Sequence, residues 1–258
     1  MLRRLARWKR IAVSRLSVHY PSFLRFLPTP RPLVIRRWPY EGPMPARDLL
    51  ICLPGIGDEA KDFEKWGFVD VVRARPWAAD VLLVDAHYGY YADRSLLEQL
   101  HEDVLLPAST CGYRSIWLAG ISMGGLGALL YASRYPKDVR AVVAIAPFLG
   151  TRAIVQEIAV AGGLAQWCSS INSPDEIRAI WTWAHSQTRQ WPAGPDIFLA
   201  FGEADTFVDA HRLLASSLPE AHVLTARGGH RWPVWHELWR SFIRRHAPRD
   251  VPDARRLA

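Results

Sequence analysis

Short, wholly apolar runs alternate with longer amphipathic stretches along most of the chain, from about residue 33 to residue 245. Strands that are apolar on both faces must be covered on both faces, which is typical of a mostly parallel sheet flanked by helices. The sequence therefore predicts an α/β fold with a mostly parallel, twisted sheet. The apolar runs predict strands at Leu33–Ile35, Leu49–Leu53, Val81–Asp85, Ser115–Ala119, Ala141–Ala146, Ile197–Phe201 and His222–Thr225. The amphipathic stretches predict helices at Lys61–Ala74, Asp93–Leu106, Gly124–Arg134, Val208–Leu218 and Pro233–Arg245.

One segment departs from this alternation, because residues 148–195 separate two predicted strands with no strand between them. The segment contains Trp167, Trp181, Trp183 and Trp191. An insertion at the carboxyl edge of a parallel sheet is the usual position of a small helical lid, although packing tryptophans in an ordinary helical excursion would give the same pattern. The predicted division is a basic leader at 1–32, a core at 33–147 and 196–247, the insertion at 148–195 and a tail at 248–258.

The positive charge of the chain is concentrated at its beginning. The first 40 residues contain ten basic residues and no acidic one, which leaves 22 basic against 25 acidic residues in the remainder. The remainder of the chain is mildly acidic and provides no basic surface to bind nucleic acid, so nucleic acid is excluded as a partner. Apolar residues at helical spacing within residues 1–20 would suit weak contact with an anionic membrane surface, or packing on the domain. We expect a cytoplasmic protein, with peripheral membrane contact as the alternative.

Three cysteines, Cys52, Cys111 and Cys168, occur without the spacing of a zinc site or a disulfide framework. No motif for a nucleotide or another cofactor accompanies them. We therefore expect no metal and no cofactor. The oligomeric state has no signature in the sequence.

The motif Gly120-Ile121-Ser122-Met123-Gly124 lies between a predicted strand and a predicted helix. A serine hydroxyl becomes a useful nucleophile when it is held out of the secondary structure beside a base. A sharp strand-to-helix turn does this, and it crowds the residues two before and two after the serine, so glycine is required there. The pattern predicts that Ser122 is a catalytic nucleophile.

The base and acid of a serine triad should follow later strands, in the order serine, acid, histidine. His230 follows the last predicted strand, and His87 is its rival, while His101, His211 and His236 fall in helices and are interpreted as surface or packing residues. Asp205 follows the strand Ile197–Phe201 and would orient the imidazole, with two nearby rivals. Those rivals are Glu203 and Asp209.

The oxyanion of an acyl-transfer intermediate needs two N–H donors. One is predicted to be the backbone amide of Met123, directly after the nucleophile. The other should come from the loop Pro54-Gly55-Ile56-Gly57-Asp58, where glycines let the backbone turn toward the serine. Ile56 is the preferred donor and Gly57 the alternative.

These motifs resemble those of the α/β-hydrolase superfamily, and two of them are similar to the esterase D group of carboxylesterases. The resemblance is carried by Leu53-Pro54-Gly55-Ile56-Gly57, Ser122-Met123-Gly124-Gly125-Leu126-Gly127-Ala128-Leu129, Gly202-Glu203-Ala204-Asp205 and Gly228-Gly229-His230-Arg231-Trp232 with Trp235. It implies the α/β-hydrolase fold, a Ser122–Asp205–His230 triad, oxyanion donors at Ile56 and Met123, and no cofactor. Many members begin the oxyanion loop with His-Gly, where this chain has Pro54-Gly55.

The expected function is hydrolysis of a small-molecule carboxylic ester or thioester through an acyl-enzyme. Aromatic residues near the predicted strand ends favour a partly apolar acyl group. An acyltransferase would use the same triad with another acceptor. A non-catalytic binding or membrane-surface protein on the same fold is the alternative of a different class.

Overall fold

The computed structural model describes residues 28–167, 175–189 and 194–248. Within these ranges seven strands form one sheet in the order β1-β3-β2-β4-β5-β6-β7. β1 pairs antiparallel with β3 and every other neighbouring pair is parallel, so the predicted mostly parallel sheet is confirmed. The strands are β1 (Ile35–Trp38), β2 (Asp48–Leu53), β3 (Ala79–Val84), β4 (Ser115–Ile121), β5 (Ala141–Ile145), β6 (Asp196–Gly202) and β7 (Val223–Ala226).

Helices connect the strands and cover both faces of the sheet. In chain order they are α1 (Ala60–Lys65), α2 (Phe68–Arg73), α3 (Tyr88–Ala92), α4 (Leu96–Leu100), α5 (Leu106–Ser109), α6 (Met123–Arg134), α7 (Arg152–Val160), α8 (Glu176–Arg189), α9 (Val208–Ala215) and α10 (Trp232–His246). A π-helical turn, His101–Leu105, joins α4 to α5, and a 3-10 turn, Glu220–His222, precedes β7.

The central strands are buried along their whole length because the sheet has a hydrophobic core on each face. Alternate residues of β2 illustrate the division: Leu49 and Ile51 belong to one core, and Leu50 and Cys52 belong to the other. The first core lies against α3–α9, and the second lies against α1, α2 and α10. This two-sided burial explains why the strands read as continuous apolar runs.

Three predicted elements differ most clearly from the structure, and several others differ by a few residues at one end. The predicted helix Lys61–Ala74 is two helices, because Gly67 at φ +70° interrupts it. The predicted helix Asp93–Leu106 begins at Leu96 and passes into the π-helical turn. The predicted strand at Leu33–Ile35 begins only at Ile35, since the Leu33 side chain is buried and its amide donates to Asp103.

The described part of the insertion consists of α7, α8 and the turns beside them. Trp181 is fully buried and its indole N–H donates to the Leu149 carbonyl oxygen at 3.0 Å. The indole of Trp167 donates to Glu157, which also accepts two hydrogen bonds from Arg178. These contacts fasten the two helices to each other and to the same core as the sheet.

Parts of the predicted leader, insertion and tail lie outside the described residues, including the segment 1–20 predicted to contact a membrane and two residues named above, Cys168 and Trp191. Across the ranges that the structure describes, no helix combines the length and the apolar character needed to cross a membrane.

Candidate active site

Ser122 occupies the tight turn between β4 and α6. Its backbone has φ +54° and ψ −111°, a conformation that costs a non-glycine residue energy and is found mainly at functional sites. Its amide donates to the Ile145 carbonyl oxygen and its carbonyl oxygen accepts from the Phe148 amide, each at 2.9 Å. The strained serine is therefore held by the last residue of β5 and by the segment that follows it.

The two glycines of the motif are required by close backbone approach. A methyl group at Gly120 would stand 2.0 Å from the Gly124 carbonyl oxygen, and one at Gly124 would stand 2.1 Å from the Leu53 carbonyl oxygen. The obstructing atoms belong to the backbone, so they cannot turn away as the end of a side chain could. The structure thus gives the physical reason for glycine on both sides of Ser122.

His230 lies on the loop between β7 and α10 and contacts both of its predicted partners. Its Nε2 is 2.9 Å from Ser122 Oγ. Its Nδ1 is 2.9 Å from Oδ2 and 3.1 Å from Oδ1 of Asp205. A carboxylate can only accept, so this pairing selects the tautomer with a proton on Nδ1 and leaves Nε2 able to accept from the serine hydroxyl.

Asp205 is buried and lies three residues after the end of β6, in the loop where it was predicted. Its Oδ1 also accepts a hydrogen bond from the Phe207 amide at 2.9 Å. The acid loop and the histidine loop are joined through their backbones, because the Ala204 amide donates to the Gly228 carbonyl oxygen at 2.9 Å. Gly202 permits this approach, since a methyl group there would stand 2.3 Å from that same oxygen.

Two aromatic rings flank the imidazole of His230. The ring of Phe207 lies 5.2 Å away at an interplanar angle of 86°, and the ring of Trp235 lies 4.9 Å away at 84°. Edge-to-face packing against both rings restricts rotation of the imidazole. The hydrogen bonds at Nδ1 and Nε2 therefore act on a ring whose plane is already constrained.

The predicted oxyanion loop turns tightly beside the serine. The Asp58 amide donates to the Gly55 carbonyl oxygen at 3.1 Å, and Gly57 within this turn has φ +74°. A methyl group at Gly55 would be 3.6 Å from Ser122 Cβ, so the loop backbone lies against Ser122. Ile56 is half-buried in the same turn.

Met123, the other predicted donor, is the first residue of α6. The first amides of a helix have no carbonyl partner within the helix, which makes them available to a developing negative charge. Both predicted donor residues thus lie next to Ser122 in the chain or in space.

The rival candidates have other contacts. His87 accepts a hydrogen bond at Nδ1 from the Gly89 amide and caps α3. His101 lies 2.8 Å from the Tyr131 hydroxyl, and the rival carboxylates Glu203 and Asp209 are solvent-exposed. His211, interpreted from the sequence as a surface or packing residue, is fully buried and hydrogen-bonded.

Sequence reasoning did not find the contacts that Phe207 and His211 make near the site. Phe207 lies two residues after Asp205, so its amide could have been foreseen as a partner of that carboxylate, but its ring contact with His230 could not. His211 gives no signal in the sequence beyond helical spacing. Among the described residues, no group of three or more His, Cys, Asp or Glu could hold a metal ion.

The Esterase family model matches residues 103–239, which is more than half of the chain and includes Ser122, Asp205 and His230. The chain belongs to the Esterase family. This family membership supports ester hydrolysis by a serine hydrolase and agrees with the resemblance to esterase D-type enzymes. No curated protein sequence matches this esterase.

Solved structures confirm the α/β-hydrolase fold of this esterase. Est1E from Butyrivibrio proteoclasticus, in a structure with ferulic acid bound, has a TM-score of 0.56 and 17% sequence identity, covering 84% of this chain and 96% of that chain. S-formylglutathione hydrolase from Staphylococcus aureus has a TM-score of 0.55 and 12% identity, covering 83% and 97% of the two chains. At these identities the likeness establishes the fold alone.

Proposed function

We propose that this esterase cleaves a small-molecule carboxylic ester or thioester through an acyl-enzyme formed on Ser122. The proposal rests on one observation, the continuous hydrogen-bonded row from Ser122 Oγ through the His230 imidazole to the Asp205 carboxylate. A histidine that accepts at Nε2 and is held at Nδ1 by a carboxylate is the arrangement that converts a serine hydroxyl into a nucleophile.

In the first step the Ser122 hydroxyl transfers its proton to His230 Nε2 while Oγ forms a bond to the substrate carbonyl carbon. The carbonyl oxygen becomes an oxyanion, which the amides of Met123 and Ile56 would bind. The buried carboxylate of Asp205 stabilises the imidazolium that forms. When the intermediate collapses, the bond to the leaving group breaks and His230 returns the proton to that group.

In the second step water replaces the leaving group. His230 Nε2 accepts a proton from the water as its oxygen bonds to the acyl carbon. The second intermediate collapses by breaking the bond to Ser122 Oγ, which takes the proton back from His230. The products are a carboxylic acid and the free enzyme, and no atom of a cofactor takes part.

Half-buried apolar side chains beside the serine favour an acyl group that is partly apolar. Phe148, whose amide binds the Ser122 carbonyl, packs its ring edge-on against Phe207 at 5.5 Å. Phe207 in turn contacts His230. An apolar acyl chain that packs against these rings is removed from water. Its binding is therefore favoured by the free energy of burying apolar surface.

The predicted domain division is part of the proposal. Residues 33–147 and 196–247 would form the catalytic core, with 1–32 as a leader, 148–195 as a cap over the carboxyl edge and 248–258 as a tail. Both helices of the insertion, α7 and α8, come after β5 in the chain, and Phe148 lies between β5 and α7. This order supports a role of the insertion in bounding the substrate.

Labelling with a fluorophosphonate tests the proposal, because this reagent forms a covalent adduct with an activated serine. We expect wild type to be labelled and Ser122→Ala not to be labelled. Ser133→Ala, which removes another hydroxyl on α6, is the matched control and should be labelled like wild type. Absence of labelling on folded wild type, or equal labelling of Ser122→Ala, would remove the catalytic proposal and favour a non-catalytic binding protein.

A second panel then separates the substrate classes. p-Nitrophenyl esters and acyl thioesters of matched acyl length, from two carbons upward, would be compared by kcat/KM. We expect kcat/KM to rise with acyl length until the apolar surface is filled. Mass analysis of the products with water alone, and with added alcohols or amines, distinguishes hydrolysis from transfer to another acceptor.

A further inference from the structure

His211 is a buried histidine that the proposed reaction leaves unexplained. It lies on α9 with no exposed surface, and its Nε2 is 2.9 Å from the Pro147 carbonyl oxygen. A carbonyl oxygen only accepts, so Nε2 carries the proton. Burial lowers the pKa of His211 to about 4, and the imidazole is therefore neutral at physiological pH. Among the described residues, its Nδ1 has no hydrogen-bond partner.

The carbonyl that His211 binds belongs to the segment that holds the nucleophile. Pro147 lies between Ala146, which has φ +45°, and Phe148, whose amide donates to the Ser122 carbonyl oxygen. On its other side Pro147 packs on Gly125 of α6, where a methyl group would stand 2.9 Å from Pro147 Cβ. Residues 146–148 are thus held between α6, which packs against Pro147, and His211, which donates a hydrogen bond to it.

The helix that carries His211 is fixed to the catalytic acid. The Phe207 amide donates to Asp205 Oδ1, and the Val208 amide donates to the Asp205 carbonyl oxygen at 3.1 Å. His211 follows one turn later, and its amide donates to the Phe207 carbonyl oxygen. The contacts therefore close a ring: from Ser122 through His230 to Asp205, and back through α9, His211 and the 146–148 segment to Ser122.

A neutral donor suits this position better than a charged one. Lysine or arginine beside Asp205 would attract the carboxylate and compete with His230 for it. A positive charge there would also oppose the positive charge that His230 acquires during acyl transfer. An imidazole that stays neutral supplies the N–H without either effect.

We propose that His211 is a positioning residue, which fixes the 146–148 segment and thereby the geometry of Ser122 relative to His230. The inference rests on the proposed function, since it concerns the same reacting atoms. Its physical basis is the steep dependence of catalysis on geometry, in which a misplacement of ~1 Å can cost ~100-fold in rate.

The test compares two substitutions with opposite hydrogen-bonding capacity. His211→Leu removes the donor, and we expect kcat for a p-nitrophenyl ester to fall by ~10–100-fold with KM changed by less than ~2-fold. His211→Gln can place an N–H near the position of Nε2, and we expect it to retain kcat within ~3-fold of wild type. Leu214→Ala, at another buried position on α9, controls for stability and should lower the melting temperature with kcat retained.

The outcomes separate positioning from packing. Wild-type kcat in His211→Leu, or an equal loss of kcat in His211→Gln and His211→Leu, would overturn the proposal. So would an equal loss of kcat in Leu214→Ala at the same fall in melting temperature. If His211→Leu does not fold, His211→Asn replaces it, because its shorter amide does not reach Pro147.

Fluorophosphonate labelling distinguishes an error in the role proposed for His211 from an error in the proposed function. Wild type that is labelled, together with His211 variants that turn over like wild type, would overturn only the role of His211. Folded wild type that is not labelled would overturn the catalytic proposal itself.

Discussion

The elbow around Ser122, residues 120–124, lies at the end of β4, and the described part of the insertion, residues 148–167 and 175–189, follows β5, but different forces determine their structures. In the elbow, backbone atoms approach to distances that exclude any side chain at Gly120 and Gly124. In the insertion, two helices are held in place by side chains that bind residues distant in the sequence. Trp181 donates a hydrogen bond to the Leu149 carbonyl oxygen, and Arg178 donates to Glu157.

This difference predicts whether a substitution should lower activity or stability. Under the proposed mechanism, a change at the elbow or its partners alters the position of the reacting atoms, so activity should fall steeply. A change in the insertion alters packing and surface ion pairs, so stability should fall while the chemistry continues. The predictions below test that separation.

The largest effect is expected for Asp205→Asn. An amide in place of the carboxylate can donate to His230 Nδ1, which would favour the tautomer with the proton on Nε2 and prevent proton acceptance from Ser122. We expect kcat to fall by ~10⁴-fold with the melting temperature nearly unchanged. Glu203→Gln, at the exposed rival carboxylate, is the matched control and should retain activity. Steady-state kinetics on both variants decide between the two carboxylates.

Gly124→Ala should disrupt the elbow itself. Its methyl group would stand 2.1 Å from the Leu53 carbonyl oxygen, so the turn must shift. We expect a loss of at least ~3 kcal/mol in the free energy of unfolding and loss of most activity. Gly112→Ala places the same methyl group in open space at φ +79° and should cost only ~1–2 kcal/mol with activity kept. Equal losses measured by urea denaturation would contradict the steric account.

Trp181→Phe should show the opposite pattern in the insertion. It removes the indole hydrogen bond to Leu149 and part of a fully buried ring, so we expect ~1–2 kcal/mol lower stability. The kcat should stay within ~2-fold of wild type. Trp183→Phe, at a half-buried position on α8, should cost less stability. A kcat for Trp181→Phe more than ~10-fold below wild type would mean that the insertion shapes the reacting groups directly.

The smallest effect concerns the pH dependence of the insertion. Hydrogen bonds from Arg178 and then from Trp167 lower the pKa of Glu157 from 4.5 to about 2. Because the folded pKa is the lower one, the stabilisation is complete above pH ~4.5 and is lost as the pH falls toward ~2. We expect the melting temperature of wild type to fall slightly more than that of Glu157→Gln across this range. Glu102→Gln, an exposed carboxylate outside this network, should behave like wild type.

The sequence was sufficient where structure depends on near neighbours. The elbow, the strand before it and the helix after it follow from five residues and their flanks, and the order Ser122, Asp205, His230 follows from strand ends. The break at Gly67 was missed because apolar spacing continues through it, and the positive φ is visible only in the fold. The burial of His211 agrees with the packing alternative, but helical spacing does not reveal that its N–H binds a carbonyl oxygen from another segment.

The edge strand shows the same limit. Leu33–Ile35 has the composition of a strand, but Asp103 binds the Leu33 amide and pairing with β3 begins at Ile35. At this edge of the sheet, a contact between segments far apart in the chain therefore decided where the strand begins.

Trapping of the acyl-enzyme is the most direct test of the central claim. The protein would be mixed with a p-nitrophenyl ester, quenched in acid within milliseconds, digested and examined by mass spectrometry. The account predicts an added acyl mass on the peptide containing Ser122, accumulating before steady state and absent in Ser122→Ala. Turnover by wild type with no acyl adduct, or with an adduct on another residue, would contradict it.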